Sequence, residues 1–477
     1  MKKNIFLLIV SAVLASGCNK WLDVKPKTQV EESQLLSSES GFEDAMYGVY
    51  STMANGSLYG DKLTMSFVDV LAQRYSVQNI PGHDYYQASL YNYQDAGVKS
   101  ITANIWDSAY FAIANLNNII NHIDAKKGVF QTGNYSLVKG EAFGLRAFLH
   151  FDLLRLFGPS YLSNPAKPSI PYVKTVSGGV TPLSTVSGVL DSVIADLTIA
   201  DNLLSGYKNV VVTNGATQLL ENDWLNNRQY HFNYWAAEAL LARVYLYKGD
   251  KANALLHATN VINSGMFKFI TSSAITNYRD RTYTPEQIFS LSKFNMLYQV
   301  SQYFQAAGVA GSNLGTNTHL TNTYGNGGIV DKVFETSSGG ATDFRYAFGW
   351  GLSNNIYFPS KFWQDAYVST YNNLVPVIRL TEMYYIAAEC ADPATATGYL
   401  NTVRENRGLK DLVTLPDAAT AQNEIFKEYQ KEFYCEGQLF YYYKRLNVTQ
   451  ILYTQTPGSD KVYVLPLPDA ETQYGNR

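Results

Sequence analysis

The chain has 477 residues, with 37 Lys and Arg against 40 Asp and Glu, a formal net charge of −3, and only 16% of residues charged. That balance argues against a nucleic-acid binder, which needs a basic patch or excess, while the length allows a large core and one to three domains. Tyrosine is abundant, at 37 residues beside 23 Phe and 6 Trp. The bland reading places most of these rings between packed helices and leaves a minority for binding surfaces, where a ring with one wet end is useful.

At the N-terminus, Lys2 and Lys3 precede an apolar run from Ile5 to Ala15, too short to span a bilayer. Ala15, Ser16 and Gly17 then lead into Cys18. Small residues before a cysteine resemble a bacterial lipoprotein signal, with residues 1–17 removed and Cys18 acylated. Acyl chains would hold the protein at a membrane surface without a spanning helix. An extended polar lead follows, Asn19 to Gln34.

A helix is predicted from Ser40 to Met53, with Phe42, Ala45, Met46, Val49 and Tyr50 on one face. The segment Leu63 to Gln94 has no helical period. It carries Asp69, Arg74, Tyr75, Tyr85, Tyr86, Tyr91 and Tyr93, with Pro81-Gly82 as a break, and reads as an ordered loop region. Helix resumes from Ile101 to Ile123, whose period puts Trp106 in the core. The stretch Gly140 to Ser160 is apolar nearly all round, so it belongs inside, contacted on several sides. Its charges, Glu141, Arg146, Asp152 and Arg155, must then be paired. Residues 159–182 are irregular, and a helix is expected from Ser187 to Leu204.

Tyr234 to Ile262 has spacings similar to the tetratricopeptide pattern, with Gly249-Asp250 between paired helices. Ile378 to Ala388 with Ala394 to Glu405 suggests another pair. Such pairs need neighbours to bury their faces. Phe267 to Val375 is poor in helical period and holds Tyr298, Tyr303, Tyr324, Trp350, Tyr357 and Trp363. A stretch this long is rarely structureless, so it is expected to form its own irregular lobe. Cys390 and Cys435 read as two isolated buried thiols, with a disulfide between them as the alternative.

Enzyme motifs are missing. The six His are scattered without metal-binding spacing, no Gly-x-Ser-x-Gly elbow appears, and Gly325-Asn-Gly327-Gly328 lacks the rest of a dinucleotide loop.

Several of these segments together resemble the SusD/RagB family of outer-membrane nutrient-binding lipoproteins. The carriers are Cys18 followed by Leu22-Asp23, then Glu141-Ala142-Phe143-Gly144-Leu145-Arg146-Ala147, and the Arg379 to Glu389 helix. Further carriers are Asn401 to Gly408, Glu436-Gly437 with Tyr441 to Arg445, and Leu465-Pro466-Leu467-Pro468. Gln438 and Leu439 stand where the family has a basic residue and its neighbour. The resemblance implies a mostly α fold, in which tetratricopeptide-like helix pairs form a scaffold with a loop-rich lobe packed on it. It divides the chain into an N-terminal region, 18–225, and a C-terminal region, 226–477. It also implies cell-surface capture of a nutrient, usually an oligosaccharide, and its delivery to a SusC-like TonB-dependent transporter, without catalysis, cofactor or metal.

In the family the ligand site is built from irregular loops. The expected contacts, chosen by position and chemistry, are Asp69, Arg74, Tyr85, Tyr86, Tyr91, Tyr298 and Trp350. Three alternatives stay open: a peptide-uptake member of the family, a surface glycoside hydrolase, and a tetratricopeptide scaffold for protein partners.

Overall fold

The structure is a computed structural model that describes residues 32–77, 79–210, 222–304, 314, 316–317, 329–353, 356–364 and 371–475. Cys18, the expected signal segment 1–17 and Tyr324 lie outside the described residues.

Ten helices make the scaffold: α1 (Glu39–Met53), α2 (Ala96–Ile123), α3 (Asn134–Phe157), α4 (Val186–Leu204), α5 (Tyr234–Lys248), α6 (Lys251–Asn263), α7 (Leu380–Cys390), α8 (Pro393–Glu405), α9 (Ala418–Glu432) and α10 (Gln438–Arg445). Their starts follow from sequence. Ser38, Asp95, Thr185, Asn233, Asp250, Asp392 and Asp417 each accept a backbone N–H of the first turn, which is worth about 1 kcal/mol apiece. From α1 to α8, each helix packs on the next in chain order, and α9 closes against α7 and α8. This is a tetratricopeptide-like array. One hydrophobic core runs through it from Leu36 to Leu465.

Helix α3 is the central rod, and nearly every side chain from Leu145 to Phe157 is buried. Its approach to the next segment is so close that a Cβ on Gly144 would lie 2.1 Å from the Phe232 ring. Its charges are all paired. Arg146 donates to Asp196 (2.7 and 2.8 Å), Arg155 pairs with Asp152, and Glu141 accepts from Arg228 (2.6 Å), Trp224 and Tyr50. Burial opposes ionisation of Glu141, but Arg228 and His231 outweigh it and hold its pKa down at about 2.

A short antiparallel pair, β1 (Pro168–Ile170) and β2 (Ser184–Thr185), precedes α4. The loop-rich stretch departs from expectation in one respect. It is not wholly a separate lobe, because β3 (Gln287–Ser292) pairs antiparallel with β7 (Leu374–Arg379), and Ile288, Phe289 and Leu291 enter the main core. Ile378 therefore belongs to a strand rather than to the start of α7. Its alternation with helix-like neighbours hid a strand buried on both faces. Between these strands lies a small sheet in the order β4 (Thr316–Asn317), β6 (Ile356–Pro359), β5 (Trp350–Ser353). It sits over a satellite cluster of Val330, Val333, Phe334 and Tyr434.

A buried ionic network ties this stretch to the helices. Arg407 donates to Glu286 (2.8 and 2.7 Å) and to Glu432 (3.1 and 2.8 Å). Arg379 donates to Glu432 (2.6 Å) and Glu436 (2.9 and 2.7 Å). Arg345 donates to Asp343, Glu428 and Glu432. Glu432, facing all three guanidiniums, is held well below the usual carboxylate range against the cost of its burial. Cys390 and Cys435 are both free thiols.

Candidate functional site

Asp61 and Lys62 sit on the tight turns after α1, which fold back through backbone bonds such as Leu63 N to Leu58 O. Facing them is the short helix Leu297–Phe304, which supplies Tyr303. The segment around Pro81-Gly82, turned by Gly82 at φ 79°, supplies Tyr85 and Tyr86. These three pieces, together with the start of α2, enclose a cleft of about 650 Å³ lined by Lys62, Asn79, His83, Asp84, Tyr85, Tyr86, Gln87, Asp95, Ser100 and Tyr303.

The floor of the cleft is a fixed polar network. The Tyr85 and Tyr303 hydroxyls are 2.6 Å apart. Lys62 donates to Tyr85 (2.9 Å) and pairs with Asp61, and Tyr303 donates to Asp61 (3.0 Å). Burial works against the Lys62 charge, but Asp61 and Tyr85 outweigh it and raise its pKa. Burial and Asp61 push the Tyr85 phenol up to about 12, so at neutral pH both phenols are neutral. Tyr86 is half-buried and lends an aromatic surface to the same cleft. Such a site offers hydrogen-bond donors and acceptors beside a ring face, the pairing that sugar hydroxyls and C–H faces require. Among the described residues, no cluster of His, Cys, Asp and Glu could hold a metal ion.

Residues 20–214 match a SusD-like family model described as starch-binding and associating with the outer membrane, and residues 293–474 match the SusD family model. The chain belongs to the SusD/RagB family. SusD-like protein P2 of Formosa agariphila is 24% identical over 99% of this chain and 97% of its own length. The structure of a SusD superfamily protein from Bacteroides thetaiotaomicron superposes with a TM-score of 0.69 at 22% identity, covering 92% of this chain and 98% of that one. A SusD-like carbohydrate binding protein from Bacteroides vulgatus gives 0.70 at 17%, covering 92% and 97%. These neighbours share the fold of this SusD/RagB chain.

The loop residues named from sequence divide into two groups. Tyr85 and Tyr86 line the cleft. Asp69, Arg74 and Tyr91 are core residues that fasten the loop. Asp69 accepts from the backbone N–H of Cys435 (2.6 Å) and Gly437 (3.2 Å). Burial pushes its pKa up to about 7 despite Arg74. Arg74 stacks on Tyr434 at 3.6 Å, and Tyr91 donates to Leu71 O (3.0 Å). The Glu-Gly motif gains a physical reason here. Gly437 has φ 69°, and a Cβ on it would lie 2.3 Å from Leu63 O.

Trp350 packs edge-on against Tyr434 at 4.6 Å and touches Phe334, so it braces the satellite cluster outside the cleft. Tyr298 is 68% exposed on the helix that carries Tyr303, away from the cleft lining. Sequence reasoning missed Asp61 and Lys62. They precede the irregular segment and carry no motif, and only the fold brings them beneath Tyr303.

Proposed function

We propose that this SusD/RagB chain captures an oligosaccharide at the cell surface and passes it to a SusC-like TonB-dependent outer-membrane transporter, without catalysis. Acylation of Cys18 would anchor it in the outer membrane, facing the cell exterior. The observation that carries the reading is the cleft of Tyr85, Tyr86, Tyr303 and Lys62, where a half-buried ring and a preset hydrogen-bonding network line the same space. The starch-binding, outer-membrane description of the matched family model and the carbohydrate-binding neighbour support it. The expected division into regions 18–225 and 226–477 is part of the same proposal. The cleft takes Lys62, Tyr85 and Tyr86 from the first of these regions and Tyr303 from the second.

Two measurements test the reading. The C-terminally tagged protein, recovered from detergent-solubilised native outer membranes, should bring down one large β-barrel transporter in stoichiometric amount. Calorimetry against an oligosaccharide panel should give binding that Tyr86→Ala weakens roughly tenfold, about 1.4 kcal/mol. Recovery of no barrel, cleavage of the added glycan, or binding of peptides in preference to sugars would each overturn it.

A further inference from the structure

A second cleft, of about 610 Å³, opens between α1 and the end of β3. Its useful lining comprises Tyr47 and Asn55 from α1 and its exit, and Lys293 and Phe294 from the strand end. Phe294 is 93% exposed and Tyr47 51% exposed. Leaving a phenylalanine in water forgoes the hydrophobic gain of burying its ring, so these rings are candidates for covering by a ligand.

The polar groups are incompletely used. Asn55 Oδ1 accepts from Ser57 N (2.8 Å) and Leu58 N (3.2 Å), which leaves its amide NH₂ without a partner among the described residues. Lys293 is half-buried and has no carboxylate ion pair among the described residues. Asp61, which acts on the Lys293 charge, is already held by Lys62, Ser66 and Tyr303. Lys62 itself adds like-charge repulsion on Lys293. Asp223 also lines the cleft, and it acts on Tyr47 together with Glu43. A partly desolvated ammonium without a counter-ion is costly, and the missing charge is best supplied by a ligand.

We propose that this cleft is a distinct binding site for a saccharide bearing a carboxylate or sulfate. Lys293 pairs with the anionic substituent, the Asn55 amide donates to a ring substituent, and Tyr47 and Phe294 cover the sugar faces. Asp223 repels an anion and so sets the direction of the chain, with its charged end at Lys293. The proposal rests on the reading of the chain as a glycan binder.

The test uses the purified full chain and matched probes: trigalacturonate against its methyl ester, trimannuronate against its methyl ester, and a sulfated galactose trisaccharide against its desulfated form. At least one acid probe should bind tenfold or more tightly than its neutral partner. Lys293→Met should abolish that preference while Tyr86→Ala leaves it, and Phe294→Ala should weaken both members of the pair. The carboxylate and sulfate arms identify which anion is preferred. Equal binding within every pair, absence of binding by every probe, or a preference that survives Lys293→Met overturns the proposal. If neutral glycans still bind through Tyr86 in that case, only the second site fails. If no glycan binds at either cleft, the glycan reading fails with it.

Discussion

Replacing Arg407 by Met tests whether the buried network holds the loop-rich stretch to the helices. Arg407 is fully buried, and Met would leave its five hydrogen bonds unmade, to Glu286 twice, Glu432 twice and Thr381 Oγ1 once. Glu432 retains Arg379 and Arg345, while Glu286 keeps Arg379 at 3.3 Å, the hydroxyl of Thr381 and the backbone N–H of Ile270 (3.0 Å). Glu286 thus loses its closest counter-ion while staying fully buried, and breaking a buried pair this way costs about 3–5 kcal/mol. Urea unfolding followed by far-ultraviolet dichroism and by tryptophan fluorescence should show that loss, with the two transitions still coincident. Adding Glu286→Leu should recover part of it, because removing both ions is often neutral or stabilising. A loss below about 1 kcal/mol, or a double variant weaker than Arg407→Met alone, would refute the assignment of Arg407 as an essential counter-ion.

Three further outcomes are expected. Gly144→Val should destabilise the fold by about 1–3 kcal/mol through overpacking, because even a Cβ there meets the Phe232 ring; an unchanged Tm would show that the ring can give way. Trp350→Ala should lower the Tm while leaving glycan affinity within twofold, whereas Tyr86→Ala should do the reverse. The pH profile of stability should respond to Asp201→Asn. Burial and the neighbouring Glu238 raise the Asp201 pKa from 3.8 to about 7, so the folded state holds a proton that the unfolded chain releases. That contribution is complete below about pH 4 and is lost as pH rises toward about 7, with Asp69 and Asp280, raised to about 7 and 6 by burial, acting in the same direction. The variant should flatten part of this slope, and superimposable profiles would refute the assignment.

The scaffold was legible because helices repeat apolar residues every three or four positions and begin on polar caps. Helix α1 begins one residue before the expected Ser40. The turn at Gly249 falls where the pair was divided, and Gly249 adopts φ 82° there. Strand β7 was hidden because Leu374 to Ile378 is apolar on both faces, a pattern that does not distinguish a short buried strand from a helix start. The cleft was half legible. A loop tyrosine that lines a site, such as Tyr86, and one that fastens a loop, such as Tyr91, look alike in sequence, and only the partners each hydroxyl finds after folding separate them. Asp69 and Arg74 misled for a related reason. A charged residue in an irregular stretch usually faces water, but Asp69 sits in a short buried helix, Phe67–Leu71, packed against the junction of α9 and α10.

The Tyr85–Tyr303 hydroxyl pair joins positions 218 residues apart. Such a long-range contact carries a loop-closure cost and exists only once both segments have docked. Ligand can therefore meet a complete cleft only on a chain whose distant segments have already found each other, and a protein cut or arrested partway would present Tyr86 without its floor. Because the ligand then binds the folded form alone, each bound molecule also draws the equilibrium toward that form. Binding capacity in a preparation of this protein is accordingly a measure of how much of it has folded to the end.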